Sequence, residues 1–316
     1  MGNKWVVRIL SVLGFLALVF VLIGLVQENG PLQDRQQEEG DLYIQNVRSF
    51  ELPDSLYFAG ERVPMENFDT RESLDRELNS NAYFHSSTLL LIKRSHRYFP
   101  VIEPILQEYG IPNDFKFLAV AESNLSNAIS PVGATGFWQF MKSTGKEYGL
   151  LINNEIDQRY HLEKSTEAAC KYFLKSFEKY GNWTMVAASY NRGSNGVDRL
   201  IDIQGQNNYY NLLLPEETSR YLFRILAFKT IFNEPEKYGF VIPDEHLYPP
   251  LRYFTVTVDT TVNSFADFAS EYGTNYKILK AFNPWLRQPY LNIRPGESFE
   301  IKIPEQGSRT NAYENQ

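Results

Sequence analysis

From about residue 71 to residue 240 the chain repeats apolar residues at helical spacing, and Pro, Gly and Asn interrupt the pattern at short intervals. This stretch limits the fold more than any other feature. SSTLLLIKRSHRYFPVIEPILQEYG predicts two helices divided near Pro100. IPNDFKFLAVAES predicts another, with Pro112 or Asn113 at its start and Asp114 in its first turn. SPVGATGFWQF is a glycine-containing loop leading into a short helical piece. LEKSTEAACKYFLKSFEKYG is amphipathic and stops at Gly181, WTMVAASYNRG stops at Gly193, and PEETSRYLFRILAFKTIF begins at Pro215. Six or so helices with short connections predict a compact all-α domain.

The flanks differ from this block. After a Pro-containing linker (241–253), Phe254, Val256 and Val258 alternate with threonines. Two short helical segments follow, and Phe299, Ile301 and Ile303 alternate again. The order is strand, helix, helix, strand over 254–304, with a tail at 305–316. At the other end, Lys4 and Arg8 precede an uncharged apolar run at 9–26, which as a helix would span about 27 Å, close to a bilayer core. Basic residues before the run, with Glu28 and Asp34 after it, predict the rest of the chain outside the cytoplasm. The run reads as an uncleaved anchor in 1–26; the rival is a cleaved signal peptide, but no A-x-A site follows and the run is longer than a usual signal-peptide apolar region. Residues 27–50 are polar and suit a tether of roughly 25 Å as a coil. Residues 51–70 suit an extended strap, so that tether and strap occupy 27–80. The net charge of −7 argues against a nucleic-acid binder. One cysteine, Cys170, and four scattered histidines offer no ligand-spaced set, so neither a disulfide, a metal nor a cofactor is expected.

One residue is out of character with its surroundings. On a helix, Phe115, Leu118, Ala119 and Glu122 share a face, apolar except for the carboxylate. Glu122 also falls in the last turn, where the helix dipole disfavours a negative charge. Burial acts in the same direction, so both raise its pKa toward that of a general acid. The other reading of the pattern is a solvated glutamate at a frayed helix end. Gly133 and Gly136 suit close approach of a loop backbone to a sugar, or a plain turn. Phe137 and Trp138 suit either cleft wall or core. Gln139 and Asn191 offer amides matched to sugar hydroxyls, and Tyr190 ends an apolar helix beside Asn191.

AESNLSNAISPVGATGFWQFMKSTGKEYGL (121–150), ASYNRG (188–193) and PEETSRYLFRILAFKTIFNEPEKYGF (215–240) resemble the lytic transglycosylases of the goose-lysozyme-like superfamily, of the membrane-bound murein transglycosylase D type. The resemblance covers roughly 80–240. It implies a lysozyme-like helical catalytic domain at 81–240 with Glu122 as the sole catalytic acid. It also implies a substrate cleft lined by Ser130, Gln139, Met141, Tyr190, Asn191 and Tyr221, with Ser123 supporting Glu122. Lys142 stands where the family often has proline. Residues 254–304 resemble a LysM module, in degenerate form: VDTTV replaces the usual Gly-Asp-Thr-Leu, and Pro284 and Trp285 are unusual. That implies either glycan binding or a packing role.

The fold expected is therefore mainly α: a lysozyme-like domain, a small βααβ LysM-like domain and an N-terminal transmembrane helix. The implied partners are peptidoglycan strands and the membrane, with the anchor in the inner membrane and the catalytic domain in the periplasm. The implied reaction cleaves the bond between N-acetylmuramic acid and N-acetylglucosamine, closing a 1,6-anhydromuramoyl end without water. The rivals are a hydrolytic muramidase, which usually needs a second carboxylate, and a non-catalytic wall-binding or scaffold protein.

Overall fold

The computed structural model describes residues 47–310, of which 49–310 form one compact unit. The expected anchor at 9–26 lies outside the described residues, and among those described no helix is long and apolar enough to cross a membrane.

A short antiparallel ribbon comes first, β1 (Tyr57–Phe58) with β2 (Glu61–Arg62). Two long helices follow, α1 (Phe68–Tyr83) and α2 (His85–Glu108). α1 runs through position 80, where the strap was expected to end. A 3-10 turn (Asn113–Phe115) then feeds α3 (Lys116–Ser123). The remaining helices of this part are α4 (Lys142–Glu147), α5 (Leu162–Tyr180), α6 (Trp183–Arg192), α7 (Ser194–Gln204) and α8 (Glu216–Asn233).

The ends of these helices follow from local chemistry. The Asn182 side chain accepts from Met185 N–H at 2.9 Å and caps the start of α6. Gly181 takes the left-handed conformation (φ 72°) that closes α5. Pro215 starts α8, with Glu216 and Glu217 in its first turn.

Two readings of the sequence need revision here. The segment expected to divide near Pro100 is the single helix α2, with Pro100 and Pro104 inside it. Both prolines lie on its exposed face, where the carbonyls they leave unpaired can meet water, while Leu91, Ile102 and Leu106 bury the opposite face and hold the axis together. The sequence reading also lacked α7, a weakly buried helix in which only Val197 is fully enclosed.

α8 is the axis of the helical part and packs against α1, α3 and α6. Tyr221, Leu222, Ile225, Leu226, Phe228 and Ile231 are all buried, because neighbours surround this helix on most sides. α1 locks onto it through Glu77, 1% exposed, which accepts from Arg220 Nε at 2.7 Å.

The C-terminal part runs β3 (Tyr253–Val258), α9 (Phe265–Glu271), α10 (Tyr276–Phe282) and β4 (Phe299–Pro304), with β3 and β4 antiparallel from Tyr253↔Pro304 to Val258↔Phe299. Its core includes Phe265, Leu279, Trp285, Ile301 and Ile303. It also includes two residues from the helical part, Ile156 and Tyr160.

Candidate active site

α3 is buried on nearly every side: Phe117, Leu118, Ala119 and Val120 are all 3% exposed or less. Its last turn therefore has little freedom, and Glu122 is fixed by the packing of the residues before it. The helix ends at Asn124 in the left-handed region (φ 54°), and buried Leu125 follows in the same region (φ 51°). Two consecutive non-glycine residues there are costly and turn the chain sharply away from the carboxylate. Arg94 holds the turn by donating to Asn124 O at 2.9 Å.

Glu122 lies on the floor of a cleft of about 680 Å³. Tyr221 donates its phenolic O–H to Glu122 Oε1 at 2.6 Å from across the cleft, on α8. Burial pushes the Glu122 carboxyl up to about 7, against the opposing pull of the Tyr221 hydrogen bond. Glu217 adds to the rise, and Arg224 opposes it. The Tyr221 and Tyr190 phenols are pushed well above their usual value, first by burial and then by the nearby Glu122 charge, so both stay neutral.

Of the residues singled out from sequence, Glu122, Ser130, Gln139, Met141, Tyr190, Asn191 and Tyr221 line this one cleft. Ser123 does not. Its hydroxyl is buried, donates to Ala119 O at 3.1 Å and accepts from Ser126 N at 3.3 Å, so it ties the helix end together. Several lining residues are committed to the protein rather than free. Tyr190 donates to Trp138 O at 2.6 Å. Thr218 donates to Asn191 Oδ1 at 2.9 Å, which orients that amide. Gln139 spends its N–H₂ on Ala128 O and Gly136 O, leaving its carbonyl oxygen as the free end. Phe137 and Trp138 are both core, the indole N–H of Trp138 donating to Thr166 at 2.9 Å.

The glycine reading also changes. A Cβ on Gly136 would sit 1.9 Å from the Arg159 carbonyl oxygen, so this glycine permits close packing of backbone on backbone. Gly133 (φ 87°) is a turn residue with open space around it.

Sequence reasoning missed Phe140, Tyr172, Glu217 and Arg224, all on the cleft wall. Glu217 and Arg224 form a pair at 3.3 Å. Their signal was present: 217, 221 and 224 share one helical face, so once Tyr221 was a candidate its neighbours four before and three after were candidates too.

Residues 100–213 match the model of the transglycosylase SLT domain, and residues 254–307 match that of the soluble lytic transglycosylase C-terminal LysM-like domain. The chain is 28% identical over 235 residues to the membrane-bound lytic murein transglycosylase D of Escherichia coli strain K12. The same figures hold for the protein of that name from Escherichia coli O6:H1. The match covers 72% of this chain, which spans about half the length of those curated relatives. The SLT match ends before α8, so Glu217, Tyr221 and Arg224 are contributed from beyond it.

Proposed function

We propose that this chain, with its SLT and LysM-like domains, is a peptidoglycan lytic transglycosylase in which Glu122 acts alone as acid and then base. The observation that carries the reading is the Glu122 carboxyl itself. It sits in a cleft of sugar-binding size, its pKa is pushed up to about 7, and Tyr221 holds one of its oxygens at 2.6 Å.

With Oε1 held by Tyr221, the protonated carboxyl gives its proton to the glycosidic oxygen between N-acetylmuramic acid and N-acetylglucosamine. That bond breaks, and the electron pair leaves with the protonated oxygen. Positive charge develops at C1, and the sugar's own acetamido oxygen shares it. Glu122, now ionised and stabilised by the Tyr221 hydrogen bond, takes the C6 hydroxyl proton. The C6 oxygen bonds to C1, which gives a 1,6-anhydromuramoyl end, a free N-acetylglucosamine hydroxyl and a reprotonated Glu122. No water is consumed. The Asn191 amide and the Gln139 carbonyl suit hydroxyl and acetamido groups, and the Ser130 and Met141 side chains complete the wall.

A hydrolytic muramidase is the second reading, and Glu217 favours it, being the other carboxylate on the cleft wall. Its pairing with Arg224 and its largely exposed side chain suit it poorly to activating a water. Digestion of purified peptidoglycan with analysis of the muropeptides by mass separates the readings. The proposal expects ends lighter by one water than hydrolysed ends. It also expects loss of release in Glu122→Gln and retention of anhydro ends in Glu217→Gln. Hydrolysed ends abolished by Glu217→Gln would support the muramidase. No release by the parent would support a non-catalytic scaffold.

The apolar run at 9–26 with its basic flank supports anchoring in the inner membrane, with the catalytic unit in the periplasm within reach of the wall.

A further inference from the structure

The loop 128–141 forms one wall of the cleft and supplies Ser130, Gln139, Phe140 and Met141 to it. Its backbone is irregular, and Gln139 holds a left-handed conformation (φ 49°) without being glycine. One side chain from outside the loop ties its middle to its far end. Arg159 donates through Nη1 to Gly133 O at 3.0 Å and to Phe140 O at 3.1 Å. The same guanidinium is aimed by a two-pronged pair with Asp157, Nε to Oδ1 at 2.9 Å and Nη2 to Oδ2 at 2.7 Å. Both residues are buried, and Gly136 packs its backbone directly on the Arg159 carbonyl.

The segment that carries Asp157 and Arg159 belongs to the LysM-like domain as much as to the helical one. Ile156 and Tyr160 sit in the LysM-like core. Asp157 N donates to Trp285 O at 2.9 Å and Arg287 N to Glu155 O at 2.7 Å, flanking a bridge between Ile156 and Leu286. The Glu155 carboxylate accepts from Asn292 N and Asn292 Nδ2, both at 2.8 Å. Arg287 lies 4.2 Å over the Tyr160 ring, and Lys302 pairs with Glu163 just beyond it.

We propose that the LysM-like domain buttresses the cleft wall, acting on it through Arg159, a positioning residue that holds the loop carrying Gln139 and Met141 against the floor carrying Glu122. This rests on the reading of Glu122 as the acid only insofar as the loop's position matters to catalysis. The physical link runs through solvent: a wall released from Arg159 admits water to the Glu122 carboxyl. That carboxyl is otherwise faced by Tyr221, Arg224 and Glu217 from α8 and by Tyr190 from α6. Less desolvation lets the carboxyl ionise at lower pH.

The test uses the full chain. Arg159→Met removes the clamp. Asp157→Asn with Arg159→Met removes it without leaving a buried unpaired carboxylate. Glu155→Ala loosens the docking of the LysM-like domain at a distance from the cleft. Each is assayed for kcat and KM on peptidoglycan from pH 5 to pH 9, and the Glu122 carboxyl is titrated by carbon NMR. The expected result is a Glu122 titration, and a basic limb of kcat, moved down by about half a unit or more in the clamp variants, with a smaller shift of the same sign in Glu155→Ala. A general loss of stability lowers the active fraction without moving either midpoint. Folded clamp variants that titrate as the parent does would overturn the role of Arg159. A shift in those variants with none in Glu155→Ala would overturn the role of the LysM-like domain. If the parent makes no anhydro ends yet the NMR midpoint moves, the reaction reading fails and the buttress stands.

Discussion

At Glu122 two effects oppose each other, and burial outweighs the Tyr221 hydrogen bond, leaving the carboxyl near 7 rather than near 4.5. A pKa raised in the folded state has a definite consequence for stability. The folded protein binds this proton more tightly than the unfolded chain does. The stabilisation is therefore complete below pH 4.5 and is lost as pH rises through about 7. The loss amounts to on the order of 3 kcal/mol above that range. Glu122→Gln cannot ionise. It should melt several degrees higher than the parent at pH 8 and at about the same temperature at pH 4.5, read by thermal denaturation at the two pH values. Removing Tyr221's hydroxyl has the opposite sign to opening the cleft. Tyr221→Phe deletes a hydrogen bond that favours the carboxylate, so the Glu122 midpoint should rise by about a unit, carrying the basic limb of kcat with it. A midpoint unchanged or lowered would show that the hydroxyl does not serve the ionised form.

At the scale of elements, Gly136 and Gly133 look alike in sequence and differ in consequence. Gly136→Ala drives a methyl into the Arg159 carbonyl and should cost about 3 kcal/mol or more, with loss of activity through the displaced wall. Gly133→Ala meets nothing and carries only the backbone penalty of roughly 1 kcal/mol. Chemical denaturation of the two variants reads the difference. α2 offers a stabilising change. Pro100→Ala restores an N–H for the His96 carbonyl inside an exposed helix face and should raise the free energy of unfolding by about 1–3 kcal/mol, read by chemical denaturation.

What was legible in the sequence follows from separation along the chain. Glu122 was visible because its face is set by Phe115, Leu118 and Ala119 within seven residues, and the order of the tail was visible because alternation is local. Tyr221 stands 99 residues from Glu122, and Arg159 reaches 26 residues back to Gly133. Local patterning carries no record of such pairings. The two prolines of α2 misled because exposure, which period alone does not give, decides whether a proline ends a helix or sits within it.

For the molecule as a whole, the shared core is the decisive feature. Ile156 and Tyr160 leave the helical part to complete the LysM-like core, and the carboxylate of Glu163 ties the same junction. Burial pushes Glu163 up, but His161 and Lys302 together outweigh it and hold the carboxyl well below its usual range. Its contribution is present above the unfolded pKa and lost only at strongly acidic pH. Calorimetry near neutral pH should therefore show the two parts unfolding in one cooperative transition, whereas two separate endotherms would mean the junction is weak. The reaction proposed for the molecule can be examined without reference to any residue. Peptidoglycan digested by the full chain in water enriched in heavy oxygen should yield new muramoyl ends with no added label, because on the proposed route the C6 hydroxyl of the same sugar supplies the incoming oxygen. Ends carrying one heavy oxygen each would mean that water attacks C1, and the account of Glu122 as a lone acid and base would be wrong.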